Sequence, residues 1–563
     1  MGKRTLENST GERKLNLVKV FIVIILIVLV ILGIYFLIKS INKNETSSNV
    51  DDNEVKNKII GEEKNENTND NTIDEIVAEF GGTILEQVKN DTYYVSKDGT
   101  DYTVYLDGEI IPGRIVPWNG EEAKPAIDEA GNINIYTAAE LAWVARQVAN
   151  GEKNFSGVTI TLRDNIDLGA RENEDGSWDG TNWNSIIGFL DTSPSKNAEG
   201  TQNTEINDES TITTNENLKR FAGVFNGNGY IIRGMKIDNN ERYQGLFGYV
   251  SGTVSDLTIK NSFIRAREGV GAITGLNEGR IVNCKVEKTI IKGTEKIGGL
   301  IGIAMTNSYI ENCQTLKEVT VSADENIGGI VGYANNNASI LNCVNNANLT
   351  GTNYVGGISG IVFYGSEIKE CLNNSSAISG GNYVGGLVGY SQAQIEKSSS
   401  TGTIIGKNYV GGLVGLNYVM GNITNSFNDA KITVSEDNGG GIVGLNNATI
   451  ANCYNSGEID CSKATGLRIG GICGQNLSES FIYTSYNIGK IKNENYAGGL
   501  VGADFGTISN SFWLDTCLEN ENAETDYKFS ETEMKEKMSS DLGEYFKTDD
   551  LNINSGYPIL IWQ

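Results

Sequence analysis

The feature that most constrains the fold is a glycine-rich phrase that recurs along the second half of the chain. YVGGLVG stands at residues 383–389 and again at 409–415. Looser copies are IGGLIG at 297–302, IGGIVG at 327–332, VGGISG at 355–360, IGGICG at 469–474 and AGGLVG at 497–502. Self-similarity at a period of 20 to 50 residues indicates a solenoid, a propeller or another array of stacked units.

Other positions recur in register with this phrase. One apolar column comprises Val254, Ile281, Ile310, Ile340, Ile368, Ile395, Ile423, Ile450, Ile482 and Ile508. Three residues after each member stands a column of small or apolar residues: Leu257, Cys284, Cys313, Cys343, Cys371, Ser398, Ser426, Cys453, Ser485 and Ser511. Asn often precedes this second column, and a third apolar column comprises Leu349, Ile378, Ile404, Ile432, Ile459 and Ile491.

This periodicity predicts an all-β parallel β-helix (a β-solenoid) of about ten rungs. Each unit contains three β-prone stretches and no helical pattern, and it is shorter than the roughly 40 residues of a propeller blade. In a parallel β-helix, equivalent residues of successive turns lie one above another, so we expect Ile310, Ile340 and Ile368 to touch inside the core. The Asn residues are expected to bond through their side-chain amides along a corner. Glycine in the Gly-Gly pair is expected to allow positive φ or a close backbone approach.

The cysteines fit this reading as small core residues. Cys alternates with Ser in its column, and parallel Cβ vectors on neighbouring rungs hold two sulfurs apart. We therefore expect free thiols rather than a disulfide framework, and the sequence contains no CxxC pair that would indicate zinc.

Two segments are predicted to cover the ends of the helix, since open strand edges promote aggregation. In TAAELAWVARQVANG, Thr137 and Glu140 form a capping box, and Gly151 ends the helix. Near the other end, Ser530 and Glu533 form a second capping box, and the helix that follows leads to a last strand in GYPILIWQ.

Residues 20–38 read VFIVIILIVLVILGIYFLI, an uncharged run long enough to cross a bilayer as a helix. Lys and Arg crowd its N-terminal side, so the positive-inside rule predicts a cytoplasmic N-terminus and an extracellular remainder. The run exceeds the usual signal-peptide core, and no small-residue cleavage pattern follows. We therefore expect a single-pass cell-membrane protein with the lipid bilayer as one partner.

The predicted organisation has seven parts. They are a cytoplasmic tail (1–19), a transmembrane anchor (20–38), a flexible acidic linker (39–71), a small β module (72–130), an N-terminal cap with first coils and an insertion (131–244), the repeat β-helix (245–511) and a C-terminal cap (512–563). In the small β module, Asp98-Gly99 and Asp107-Gly108 are hairpin turn signals.

Composition excludes several functions. The chain has no histidine, which rules out Ser-His-Asp, Cys-His and HExxH chemistry. Its net charge of −26 makes nucleic acid an unsuitable partner. Asp175 and Asp179 could supply oxygen ligands, but their loop lacks the spacing of a strong calcium site. We expect no cofactor and no metal.

These motifs together resemble the GLUG-repeat family of bacterial surface proteins. The resemblance rests on GGLVG followed by I-x-N-S, as in GGLVGLNYVMGNITNS at 411–426, and on the entry and exit segments, and it covers roughly residues 133–563. It implies a right-handed β-helix displayed at the bacterial surface. GLUG repeats also occur in immunoglobulin A1-cleaving metallopeptidases, but their zinc motif has no counterpart here.

The predicted binding residues lie two positions before the first glycine of the phrase, where strand alternation points them outward. The column reads Lys296, Asn326, Tyr354, Tyr383, Tyr409, Asn438, Arg468 and Tyr496. Tyr354, Tyr383 and Tyr409 occupy successive rungs and are expected to form a flat aromatic strip, a surface suited to sugar rings or partner side chains. Tyr496 is the fourth tyrosine of the column. Alternatively, the stacked tyrosines only support one another along the sheet.

The sequence favours a non-enzymatic surface protein that presents a rigid solenoid for adhesion or for binding an unidentified glycan or protein. One alternative is a polysaccharide-active lyase or glycoside hydrolase, which needs converging carboxylates. The acidic residues of the repeats are isolated instead: Asp256, Glu278, Glu311, Glu370 and Glu396. The other alternative is a passive structural stalk. No catalytic residue is predicted.

Overall fold

The repeats form a parallel β-solenoid in which each turn of the chain lies directly above the previous one. The computed structural model describes residues 72–563 except 185, 191–217, 467, 493–496, 519–526 and 537–540. Each full turn contains five short strand segments rather than the three that the sequence predicts. In the turn that starts at Glu367 these segments are Glu367–Lys369, Leu372–Asn373, Ile378–Ser379, Asn382–Gly385 and Val388–Ser391. Stacking of equivalent segments makes five ladders, named A to E in this order.

Within the described residues, ladder A has 13 strands. They are Ile133–Ile135, Thr159–Leu162, Val224–Asn226, Thr253–Ser255, Arg280–Val282, Tyr309–Glu311, Ser339–Leu341, Glu367–Lys369, Gln394–Glu396, Asn422–Thr424, Thr449–Ala451, Phe481–Tyr483 and Thr507–Ser509. The first three precede the predicted column, so the ladder is longer than the ten rungs that the repeat signature indicates. The repeat signature does not detect these early strands, because the Gly-Gly phrase does not follow them.

Ladders B, C and D form one continuous sheet, because four long strands run through its corners. These are Thr258–Arg265 and Lys285–Lys292, which join B to C, and Thr403–Gly411 and Lys431–Gly440, which join C to D. The other strands of B are Ile166–Asp167, Ile231–Arg233, Gln314–Thr315, Val344–Asn345, Leu372–Asn373, Ser399–Ser400, Phe427–Asn428, Tyr454–Asn455, Tyr486–Asn487, Phe512–Leu514 and Lys528–Phe529. Those of C are Lys236–Asp238, Thr320–Ser322, Asn348–Thr350, Ile378–Ser379, Ile459–Asp460 and Ile491–Lys492. Those of D are Arg242–Gln244, Glu268–Val270, Glu295–Gly298, Glu325–Gly328, Asn353–Gly356, Asn382–Gly385 and Ile469–Gly470.

Ladder E is a separate sheet with ten strands in the described part of the chain. They are Phe247–Val250, Thr274–Asn277, Ile301–Ala304, Val331–Ala334, Ser359–Val362, Val388–Ser391, Val414–Asn417, Val443–Asn446, Cys473–Asn476 and Val501–Asp504. Two small antiparallel pairs lie outside the ladders: Phe189–Leu190 with Leu218–Lys219, and Phe546–Lys547 with Ile559–Leu560.

The predicted registry is confirmed. Ile310, Ile340 and Ile368 are Cα partners in ladder A and are fully buried. The third apolar column pairs in the same way, as Leu349 with Ile378 and Ile378 with Ile404. All eight cysteines are buried and carry free thiols. At the same corner, the Cys371 backbone N–H donates to Ser398 Oγ at 3.1 Å, so a hydroxyl also satisfies buried backbone there.

The Gly-Gly pair is required by close approach and not by positive φ. A Cβ on Gly385 would lie 2.1 Å from the Val388 carbonyl oxygen, and one on Gly386 would lie 2.1 Å from that of Gly412. No real side chain tolerates such distances, so the turn from ladder D to ladder E needs glycine at both positions. This tight corner separates D from E, and it explains why a turn has more segments than the sequence indicates.

Asparagine side chains stack in several places, of which the sequence predicts only the exposed stack at the corner after ladder A. At the corner after ladder A, Asn342 Nδ2 donates to Asn312 Oδ1, and Asn452 donates to Asn425 at 3.3 Å. These residues have positive φ, which Asn tolerates better than most residues. A second stack is buried in ladder B, where Asn345 donates to Asn373 at 2.9 Å.

The N-terminal cap is confirmed. The helix Ala138–Ala149 begins with the predicted capping box of Thr137 and Glu140 and ends at Asn150, one residue before Gly151. Leu141, Val144, Ala145 and Val148 are at most 1% exposed and join the core of the solenoid.

The helix near the C-terminus begins at the predicted capping box but is short. It comprises Glu531–Glu536, and Ser530 and Glu533 bond to each other at its start. A 3-10 turn follows at Gly543–Tyr545. Residues 546–563 then lie along the outer side of ladder B.

Before the solenoid stands an antiparallel four-stranded sheet that a helix accompanies. The strands are Thr83–Lys89, Thr92–Lys97, Thr100–Tyr105 and Ile110–Pro112, and Asp98-Gly99 turns the chain with positive φ at both residues. The helix Ile73–Phe80 escapes the sequence prediction, although Thr72, Glu75 and Gly81 are its capping signals.

Charged residues hold this sheet against the first turns of the solenoid. Arg233, only 2% exposed, lies 3.0 Å from Asp107 and 3.1 Å from Glu109 and packs 3.4 Å from the centre of the Tyr105 ring. Lys260 also lies 3.1 Å from Glu109. Burial raises the pKa of Asp107, but the charges of Arg233 and Lys260 outweigh this effect and hold the pKa at about 2.

The predicted transmembrane segment at 20–38 and the linker at 39–71 lie outside the described residues. Among the helices that the structure does describe, none has the length and apolar character needed to cross a bilayer.

Candidate functional site

The predicted binding residues meet on the outer surface of ladder D. Tyr354, Tyr383 and Tyr409, called here the tyrosine row, stand in three successive turns and are half-buried. The ring centroids of Tyr354 and Tyr383 are 4.8 Å apart with planes 6° from parallel, and those of Tyr383 and Tyr409 are 4.7 Å apart with planes 4° from parallel. Tyr496, the fourth predicted residue, lies outside the described residues.

The row is not a flat strip with its ring faces toward solvent, as the sequence suggests. An aromatic ring is wider than the centroid separation, so coplanar rings at this distance would overlap. Parallel rings must therefore stack face against face with an offset. Tyr383 turns its faces toward its two neighbours, which leaves its edge and hydroxyl for a ligand.

The backbone at the row is strained in a repeating way. Tyr354, Tyr383 and Tyr409 have φ of 55°, 56° and 56°, in the left-handed region. The ladder register skips these residues, because Asn353 pairs with Asn382 and Val355 with Val384. Each tyrosine thus interrupts the ladder at the same position of its strand, while the one-to-one register continues on both sides of it.

The last glycine of the phrase lies against the backbone of the row. A Cβ on Gly389 would lie 2.7 Å from the Tyr354 carbonyl carbon and 2.7 Å from the Tyr383 carbonyl oxygen. Ladder E therefore packs directly against the backbone of the row. Every letter of YVGGLVG now has a role, since Val384, Leu387 and Val388 are fully buried and Gly385 and Gly386 form the corner.

A polar ladder accompanies the row, because the residue before each tyrosine is Asn. Asn382 donates to Asn353 at 3.0 Å and Asn408 donates to Asn382 at 3.2 Å. Each of these bonds uses one of the two amide hydrogens of the donor side chain. Amide groups thus stand beside phenol rings in three consecutive turns.

Charges flank the row but do not enter it. On one side, Lys296 lies 2.7 Å from Glu268 and 3.1 Å from Glu295. On the other side, Arg468 forms an ion pair with Asp437. Burial, followed by the charge of Glu325, raises the pKa of Tyr354, and burial also raises the pKa of Tyr383. Tyr354 and Tyr383 are therefore neutral at physiological pH.

A second set of aromatic residues borders the row, and the sequence reasoning missed it. Tyr390, on ladder E, meets Tyr354 edge-on with centroids 6.3 Å apart. Tyr390 also lies 6.3 Å from Phe363 and 5.7 Å from Tyr418. We call Phe363, Tyr390 and Tyr418 the aromatic border. The sequence does contain a signal for this set, because Tyr390 directly follows the glycine phrase, in LVGY, at a strand position that points outward.

The acidic residues considered for catalysis are spread over the surface. Glu311 and Glu396 share one position of ladder A, but Leu341 and Lys369 separate them. Glu278 accepts from the Tyr249 hydroxyl at 2.7 Å. Asp256 and Glu370 occupy the positive-φ corner after ladder A.

The loop that contains Asp175 and Asp179, the possible calcium ligands, is held by hydrogen bonds to these two carboxylates. Asp175 accepts from the Ser177 backbone and hydroxyl, and Asp179 accepts from the Arg171 backbone N–H at 2.9 Å. Across the described residues, no group of three or more metal-binding side chains converges.

The GLUG motif matches residues 380–405 and 406–433, the two turns that carry Tyr383 and Tyr409. This chain contains GLUG repeats. The five-segment turn described above is thus the structure of a GLUG repeat in this protein.

Two curated proteins are similar to a part of this chain. Halomucin of Haloquadratum walsbyi is 35% identical over 85 residues, which are 15% of this chain and 1% of halomucin. A protein of Evansella cellulosilytica that is provisionally named a Gly-rich membrane protein is 41% identical over 78 residues, 13% of this chain and 9% of that protein. The chain thus spans only a small part of both relatives.

One solved structure is similar over a larger range. It is provisionally named an immunoglobulin A1 protease, from Bacteroides ovatus, and the match covers 78% of this chain and 96% of that one. The identity is 16% and the TM-score is 0.31, so the similarity says nothing about activity.

Proposed function

We propose that this chain is a cell-surface protein that displays its GLUG solenoid outside the cell as a rigid surface for adhesion or ligand binding. The apolar run at 20–38 would anchor it in the membrane with the N-terminus inside. The names of the two relatives support this location, since one is a membrane protein and the other is halomucin.

The binding role rests above all on the tyrosine row. A bulky residue in the left-handed region costs about 1 kcal/mol or more. The same column has Asn at positions 326 and 438, also with positive φ, and Asn adopts this conformation more easily. Three successive turns nevertheless carry tyrosine, and ring stacking offsets only part of the cost. Strain of this kind is typical of surfaces that serve a ligand.

The row also suits binding because it is already ordered. Its rings are held by stacking, its amides by the Asn353–Asn382–Asn408 ladder, and its backbone by the glycines of ladder E. A ligand would therefore lose little affinity to the ordering of side chains. Glycans and proteins are both compatible with phenol and amide groups at an exposed surface.

The test uses the full-length chain, purified in detergent, on a glycan array and on a panel of immobilised extracellular proteins. The test variant is Tyr354→Asn/Tyr383→Asn/Tyr409→Asn, which places in the row the residue that the column uses at 326 and 438. The control is Tyr483→Ala, which removes an aromatic residue from ladder A, on a different face. The proposal expects a ligand whose binding falls in the triple variant and persists in the control.

Three results would overturn this proposal. Binding that is equal in the wild-type protein and the triple variant would remove the row from the function. The absence of any ligand would leave a passive stalk, and release of reducing sugars from an arrayed polysaccharide would indicate an enzyme instead. Surface location is tested separately, because a membrane-impermeant label must reach the solenoid lysines on intact cells.

A further inference from the structure

The solenoid carries a second aromatic stack, and this one is covered by the chain itself. Phe427, Tyr454 and Tyr486, called here the covered stack, occupy successive turns of ladder B. Their ring centroids are 5.0 Å and 5.1 Å apart with planes 3° and 7° from parallel. Tyr454 is 2% exposed and Tyr486 is fully buried, because residues 546–563 lie over them.

This contact shows how a polypeptide recognises stacked tyrosines on a GLUG solenoid. The Tyr486 hydroxyl donates to the Pro558 carbonyl and accepts from Asn554 Nδ2 at 2.8 Å. The Tyr454 hydroxyl bonds to the side-chain amide of Gln563. The segment thus satisfies the phenol hydroxyls with its backbone and amide groups.

Aromatic residues of the same segment complete the contact. Trp562 lies 5.9 Å from the Phe427 ring and donates its indole N–H to the Asn425 carbonyl at 2.8 Å. Phe546 lies 5.7 Å from Tyr486. The covering segment therefore combines apolar rings with hydrogen-bonding groups and meets the edges of the stacked rings.

The tyrosine row has the same internal geometry and no cover among the described residues. Its separations of 4.8 Å and 4.7 Å and its nearly parallel planes match those of the covered stack. Within the described part of the chain, the hydroxyls of Tyr354, Tyr383 and Tyr409 have no hydrogen-bond partner. Large apolar residues stand exposed beside the aromatic border: Tyr364 at 51%, Val419 at 47% and Met420 at 71%.

These features favour a polypeptide over a sugar. A sugar ring binds an aromatic face, and the faces in the row are turned toward one another. Exposed Val and Met side chains add apolar contact that a polar glycan does not use. Contiguous exposed apolar residues of this kind mark protein interaction surfaces.

The charges around the row define the partner further. The row itself and its Asn ladder are neutral, and the flanking Lys296 and Arg468 are already paired with carboxylates. Glu325 and Glu436 accept hydrogen bonds from Asn353 and Asn408 at the two ends of the Asn ladder, so an acidic segment would be repelled here. The surface therefore fits a segment without acidic side chains.

We propose that the tyrosine row and the aromatic border dock an extended polypeptide segment of a partner protein that lacks acidic side chains, with aromatic or aliphatic side chains and backbone carbonyls facing the phenol hydroxyls. The partner segment would contact the row in the same way as residues 546–563 contact the covered stack. This inference rests on the proposed function and names the class of its ligand.

The experiment pans the full-length chain in detergent against a displayed library of short random peptides and, in parallel, against a glycan array. Bound peptides are synthesised, and their affinities are measured for the wild-type chain, the Tyr354→Asn/Tyr383→Asn/Tyr409→Asn variant and the Tyr483→Ala control. Because aromatic anchors dominate most interfaces, the triple variant should bind at least about tenfold more weakly. The control should bind as the wild-type protein does.

A conservative variant tests the mode of binding. Tyr383→Phe keeps the stacked ring and removes the hydroxyl, so it should weaken binding severalfold if a carbonyl accepts that hydrogen bond. Circular dichroism and protease resistance of each variant establish that the solenoid is intact.

The outcomes separate the two proposals. Apolar peptides that lose affinity in the triple variant support the polypeptide partner. Glycan binding that depends on the row, without such peptides, overturns the polypeptide partner and leaves the proposed function standing. Peptides that bind the triple variant and the wild-type protein equally, or no ligand of either kind, overturn both.

Discussion

The two aromatic stacks of this solenoid have nearly the same internal geometry and opposite surroundings. In the covered stack, Tyr486 is fully buried and its hydroxyl is bonded within the chain. In the tyrosine row, Tyr383 is half-exposed and its backbone is in the left-handed region. The difference teaches that a column of stacked rings is a ready docking surface on this fold. What covers the column decides whether it contributes to stability or to binding.

The largest expected effect belongs to the covered stack. Tyr486→Ala leaves a cavity under the C-terminal segment and removes a hydrogen bond to Pro558, so it should destabilise the protein by about 3–5 kcal/mol. Hydrogen exchange of peptides from residues 546–563 should accelerate strongly, because this segment loses its anchor. Unchanged protection there would mean that the stack does not hold the segment.

A smaller loss is expected when the covering segment is changed instead. Trp562→Ala removes the contact with Phe427 and the indole bond to Asn425, and the ring is only half-buried, so the loss should be about 2 kcal/mol. The matched control is Tyr483→Ala, whose exchange at 546–563 should equal that of the wild-type protein. Equal exchange at residues 546–563 in the Trp562→Ala and Tyr483→Ala variants would show that the contact between Trp562 and Phe427 does not hold the segment.

Alkaline titration should separate the stacks. Burial raises the pKa of Tyr486 well above that of free tyrosine, and it raises the pKa of Tyr354 and Tyr383 to a smaller extent. A raised folded-state pKa contributes stability that is full below the unfolded pKa of about 10 and is lost as pH rises above it. Phenolate absorbance should therefore show Tyr354 and Tyr383 ionising first and reversibly, and Tyr486 only when the C-terminal segment detaches. Simultaneous ionisation in one step would contradict the distinction.

The smallest effect is expected for the row itself. Tyr354→Asn/Tyr383→Asn/Tyr409→Asn loses three ring contacts and relieves three strained backbone positions, so the stability should stay within about 1 kcal/mol of the wild-type value. Urea denaturation followed by tryptophan fluorescence measures this difference. A loss of several kcal/mol would show that the row is structural, as the stacking-only alternative holds.

The sequence predicts the stacking of this fold well, because identical side chains in successive turns must meet. Ile310, Ile340 and Ile368 are fully buried partners, and the capping boxes at Thr137 and Ser530 are present. The five-segment turn was not predictable from periodicity, because it depends on how closely Gly386 approaches Gly412. The buried bonds of Asn345 were also missed, because a polar residue at a strand position is usually exposed.

At the candidate site, the sequence identified the column but not its geometry. Alternation places Tyr383 outward, and the structure agrees. The ring orientation follows from the left-handed backbone at Tyr383 and the 4.7 Å separation from Tyr409, neither of which can be read from the sequence. The aromatic border escaped prediction because Tyr390 belongs to another ladder and meets Tyr354 only through the fold.

Tyrosine footprinting of the purified full-length chain tests the central contrast most directly. A phenol-selective reagent such as tetranitromethane, mapped by mass spectrometry, reports which rings solvent reaches. The account predicts modification of Tyr354, Tyr383 and Tyr409 in the folded protein, with Tyr454 and Tyr486 unmodified until residues 546–563 are released. Protection of the row, or early modification of Tyr486, would contradict it.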